Sequence, residues 1–105
     1  MTETLKILEQ QLAENERHMD RYAHEMQSSN VPGDYEYFEG KCDDLMMERR
    51  GLKSTYAREL RREIGNMKRR MNSGEKQLCK QRNQLKRKYF KVVAWVLWFE
   101  SINCW

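Results

Sequence analysis

The sequence predicts an all-α protein of the long-helix, coiled-coil type. Three observations carry that prediction: apolar residues recur at steps of three and four along most of the chain, 34% of the residues are charged, and a single proline interrupts 105 positions. Steps of three and four line one stripe of a helix, and a hydrophilic chain with narrow apolar stripes suits a coiled coil or a slender bundle. Phe, Leu, Ile and Val fill only 19 positions, near the level at which chains lose their order. Against disorder, the net charge is only +4 and the apolar residues are periodic rather than scattered. The length fits one domain, 1–105, without a large core.

The first helix is expected over residues 3–28. Leu5, Leu8, Leu12, Asn15, Met19, Tyr22 and Met26 follow a heptad seam. Thr2 can cap its start, with Glu3 near the positive end of the helix dipole. Asn15 is the one polar member of the seam. Such a residue either sits inside and fixes register, at a cost in stability, or lies at the solvent edge.

The segment Ser28-Ser29-Asn30-Val31-Pro32-Gly33 breaks the pattern, and Pro-Gly is a strong turn signal. Asp34 is the expected N-cap of a second helix over 35–71. Its seam runs Tyr35, Phe38, Cys42, Leu45, Arg49, Leu52, Tyr56, then shifts by a four-residue step to Leu60, Ile64, Met67 and Met71. Gly40, Gly51 and Gly65 each cost a helix up to ~1 kcal/mol relative to Ala, so fraying or bending is expected there.

Asn72-Ser73-Gly74 leaves two architectures open. Asn72 with Glu75 has the form of a capping box, and Ser-Gly favours a turn. The seam nevertheless continues in phase through Leu78, Leu85, Tyr89, Val92, Val96 and Phe99. The preferred reading is a third helix over 75–103, closing an up-down-up bundle. The alternative is helix 1 plus one continuous helix over 35–103, on the order of 100 Å long. Charge favours the bundle. Residues 1–48 form an acidic half, with four basic and twelve acidic groups, while residues 49–105 carry sixteen basic and four acidic ones. A bundle lays the acidic run 3–25 beside the basic run 76–91.

Within the basic half (49–91), Arg58, Arg62, Arg69, Lys76, Lys80, Arg87 and Lys91 are spaced so that on a continuous helix they form one stripe about 50 Å long. Such a stripe is a candidate polyanion-binding surface, for duplex phosphates or for an acidic protein. It equally suits a solvated face partly neutralised by helix 1. The apolar tail (92–105) follows, and all three tryptophans lie in it. Trp95, Trp98, Phe99 and Trp105 are anchor candidates for the core, an oligomer interface or a membrane surface.

No catalytic constellation emerges. His18 and His24 are six residues apart and diverge on a helix, and Cys42, Cys79 and Cys104 lie outside metal-ligand spacing. No cofactor, metal or small-molecule substrate is expected, and the chain is read as a non-enzyme. The acidic N-terminus has no apolar signal region, and no stretch reaches transmembrane length. An odd number of scattered cysteines points to reduced thiols, hence the cytosol or nucleus. The functional expectation is a helical adaptor or scaffold that self-associates or docks to a larger, acidic assembly such as the cytoskeleton. The alternatives are a nucleic-acid-binding protein using 58–91, and a peripheral membrane protein held by its aromatic end.

Overall fold

The computed structural model describes residues 2–103, in which every regular element is helical. Helix α1 spans Glu3–Ser28, α2 spans Asp34–Asn72, and α3 spans Cys79–Asn103, preceded by a single 3-10 turn at Lys76–Leu78. The architecture is an all-α, three-helix up-down-up bundle.

Helix α1 starts as its sequence dictates, with the Leu5 amide donating to Thr2 Oγ1 at 3.3 Å. The start of α2 differs. Gly33, in the left-handed region at φ 92°, takes the N-cap position without a side-chain cap, and Asp34 becomes the first helical residue. The Asp34 carboxylate instead accepts a 2.7 Å bond from the Ser29 hydroxyl, bracing the loop after α1. Helix α2 also runs unbroken through Gly40, Gly51 and Gly65. Packing along its flanks outweighs the local propensity of single glycines.

The break between α2 and α3 is a Schellman motif. The Glu75 amide reaches back to the Arg70 carbonyl, and the Gly74 amide to the Met71 carbonyl, both at 3.1 Å. Gly74 supplies the left-handed residue, at φ 115°. The capping box expected between Asn72 and Glu75 does not form. Glu75 turns instead to Arg70 Nε, at 2.6 Å, and this ion pair bridges the two positions that an apolar contact commonly joins in this motif. The continuous-helix alternative is thereby excluded.

Antiparallel pairing then follows from side-chain partners. Tyr56 meets Glu9, Arg49 meets Asn15 and Phe38 meets Tyr22, so α1 runs against α2. Arg50 meets Glu100 and Lys53 meets Trp95, so α3 runs against α2 as well. Both outer helices pack on α2, while no Cα of α1 lies within 8 Å of one in α3. The result is slender and flattened, with extents of 64 × 29 × 17 Å. Leu5 and Leu8 from α1, Tyr56, Leu60 and Met67 from α2, and Leu85 and Val92 from α3 form the core. From the 3-10 turn through α3 every seventh residue is buried: Leu78, Leu85, Val92 and Phe99.

The turn carries a test. Gly74→Val forces a β-branched residue into the left-handed region, which costs about 1–3 kcal/mol. The urea midpoint of the variant falls accordingly, and an unchanged midpoint would contradict a left-handed residue at this position.

Candidate contact surface

The described residues line grooves between the helices. Among these residues, no three His, Cys, Asp or Glu side chains converge as metal ligands would. His18 and His24 are exposed. Cys42 and Cys79 are free thiols, and burial followed by the charge of Asp43 pushes the Cys42 thiol up from its ordinary value. A groove of about 350 Å³ lies between α1 and α3, lined by Glu9, Leu12, Glu16, Arg49, Lys53 and Val92 among others. It is partly open to solvent.

The polar groups of this groove hold the helices together. Glu9 Oε1, on α1, accepts a 2.8 Å bond from the Tyr56 hydroxyl on α2 and a 3.0 Å bond from Lys88 Nζ on α3. One carboxylate oxygen thus ties all three helices. Burial, then the hydrogen bond to Glu9 and its charge, push the Tyr56 phenol well above its usual value. The Lys53 ammonium sits 4.4 Å from the centre of the Trp95 ring, and Trp95 stacks on Phe99 at 5.2 Å. Burial, then the neighbouring Arg49, lower the Lys53 pKa, while Glu16 opposes the shift.

Asn15 sits inside the seam, only 2% exposed. Its amide donates to the Leu45 carbonyl and accepts from Arg49 Nε, both at 2.8 Å. Those bonds exist in one α1–α2 register only, as expected of a polar seam residue. The remaining seam residues follow the pattern. Leu5, Leu8, Leu60, Met67, Leu78 and Leu85 are buried, and Leu12, Met19, Tyr22, Met26, Ile64 and Met71 are half-buried. Tyr35, at the start of the α2 seam, is 58% exposed.

The seven ladder cations are all exposed, and none of them belongs to an ion pair among the described residues. The turn divides them. Arg58, Arg62 and Arg69 stand on α2, Lys76 in the 3-10 turn, and Lys80, Arg87 and Lys91 on α3. The single long stripe of a continuous helix does not exist. Between the acidic α1 and the basic α3, one ion pair forms directly, Glu9 to Lys88.

The apolar tail is split between inside and outside. Val92 and Phe99 are buried and Val96 is half-buried against the core. Phe90, Leu97, Trp98 and Ile102 remain outside, exposed by 65%, 62%, 51% and 45%. Of the anchor candidates, Phe99 belongs to the interior, Trp95 covers it, Trp98 faces out, and Trp105 lies outside the described residues. Glu9, Tyr56, Lys53 and Lys88 escape a reading of the sequence, because their significance arises only when three helices meet.

No protein-family model matches the chain, and no curated protein or solved structure matches it either. No described helix is long and apolar enough to cross a membrane.

The Tyr56–Glu9 bond predicts a pH effect. Above about pH 10 a tyrosine of ordinary pKa ionises in the unfolded chain, while folded Tyr56 keeps its proton. The unfolded state then binds fewer protons, so the stabilisation present at lower pH is lost as pH rises through this range. Tyr56→Phe removes that contribution, so its urea midpoint declines less steeply than the wild type's between about pH 9 and 11. Equal slopes would show that the phenol is not held in its neutral form.

Proposed function

We infer that this chain is a non-enzymatic helical adaptor, which docks to a larger assembly through the outward face of α3. One observation carries the reading. The bundle closes its core with its own residues, yet three of its largest apolar side chains, Phe90, Leu97 and Trp98, stay at least half exposed on one helix. Scattered apolar residues at a surface need no explanation, but a contiguous patch marks a place of contact. Tryptophan and phenylalanine are also enriched where protein surfaces meet. The exposed ladder cations favour a second reading, in which Arg58, Arg62 and Arg69 contact nucleic-acid phosphates along α2.

The test separates a docking face from a folding face. Replacing Phe90, Leu97 and Trp98 together with Ser leaves helical circular dichroism intact and shifts stability little, since surface changes generally stay within about 0.5 kcal/mol each. Binding of a hydrophobic dye to the native protein drops in parallel. Phe99→Ala, by contrast, removes a buried ring and costs about 3–5 kcal/mol. A triple variant that unfolds would assign the face to the fold and sink the adaptor reading.

A further inference from the structure

We propose that the outward face of α3 docks on an anionic lipid surface. The proposal rests on the adaptor reading and names the occupant of that face. At about 100° per residue, Phe90, Ala94, Leu97, Trp98 and Ser101 fall on one arc of α3, opposite the buried row Leu78, Leu85, Val92 and Phe99. Lys80 and Arg87 extend the same arc toward the helix start and Lys91 flanks Phe90 on it, the whole arc being about 120° wide. All three cations are exposed, and none is ion-paired among the described residues. The one carboxylate of α3, Glu100, is held by Arg50 at 2.5 Å.

That arrangement has the chemistry of an interfacial helix: aromatic and aliphatic side chains for the headgroup–acyl boundary, with long cations to reach lipid phosphates. The charge distribution orients the molecule. Within their helical spans α3 carries six basic groups and one acidic, while α1 carries three basic and six acidic. An anionic surface therefore attracts the α3 edge of the flattened bundle and repels the α1 edge.

Two other occupants fit less well. A second copy would bury this patch against its own equivalent. Phe90, Leu97 and Trp98, each at least half exposed, supply on the order of 350 Å², less than half of the ~800 Å² per partner that stable interfaces bury. A nucleic-acid duplex would use the cations but leave Leu97 without a partner, because phosphate contact gives an aliphatic group nothing to cover it.

Flotation of the 105-residue protein with vesicles tests the proposal. The protein is expected to float with vesicles of phosphatidylcholine mixed with phosphatidylserine, to stay behind with phosphatidylcholine alone, and to be released by salt. Substituting Lys80→Gln, Arg87→Gln and Lys91→Gln lowers the partition coefficient roughly 100-fold, about fivefold per cation. Lys6→Gln with Arg17→Gln, which removes two exposed cations from α1, leaves it unchanged. Wild-type protein that ignores the mixed vesicles, cation variants that float as well as wild type, or an equal loss with the α1 pair would each overturn the proposal. Binding to duplex RNA without binding to vesicles would overturn it too. The serine triple variant distinguishes the two levels. If it stays folded and loses the dye while wild type never floats, only the lipid occupant fails; if it unfolds, the docking face itself fails.

Discussion

The whole structure depends on one backbone constraint, the left-handed conformation of Gly74. A chain whose apolar seam is in phase on both sides of residues 72–74 has every side-chain incentive to continue as one rod. A rod would leave Leu78, Leu85, Val92 and Phe99 in water, at a cost of roughly 1.5–3 kcal/mol for each large side chain left exposed. The Schellman turn reverses the chain and lays that row against α2. Burial of the α3 row, the three-helix contact at Glu9 and the outward face of α3 all follow from the reversal.

The interior this creates is narrow, and polar groups carry much of its specificity. A small core built of leucines and methionines tolerates sliding, because one apolar side chain replaces another at modest cost. Asn15 resists sliding, since moving α1 by a heptad would leave its buried amide without Leu45 and Arg49. Glu9 does the same across three elements. Its oxygen accepts from both Tyr56 and Lys88, so α1 and α3 are fixed relative to each other although their backbones stay apart. The ion pairs lying farther out, such as Arg21 with Glu25, are solvent-exposed and contribute little.

Much of this was legible in the sequence, for physical reasons that also explain what was not. The α1 seam and the Pro32-Gly33 break are local signals, and both helices appear within a residue or two of their expected ends. The turn at 72–74 was harder. Met71, Leu78 and Leu85 are seven residues apart, and a turn that preserves the heptad phase is invisible to periodicity. Local chemistry pointed there, although through a capping box that does not form. Glycine at the left-handed position was the operative signal. The tail was harder still, because a stretch that is apolar nearly all round does not reveal which side faces the core; only the position of α2 makes Phe99 interior and Trp98 exterior. The Glu9–Tyr56–Lys88 contact had no sequence signature, since its members are 47 and 79 residues apart.

A bundle that folds back on itself acquires two unlike edges, an acidic α1 and a basic, aromatic α3. In the adaptor role we propose, that asymmetry gives the molecule its direction. Both edges depend on the return of α3 along α2, which a distance between two exposed sites tests directly. In a variant whose native cysteines are replaced, spin labels at Arg58 and Lys91 should lie roughly 15–25 Å apart, since packed helices sit about 8–10 Å apart and the labels add their own length. A single continuous helix would separate the same sites by 33 residues, or about 50 Å. A distance distribution centred on the longer value within one chain would contradict the reversal at Gly74 and everything built on it.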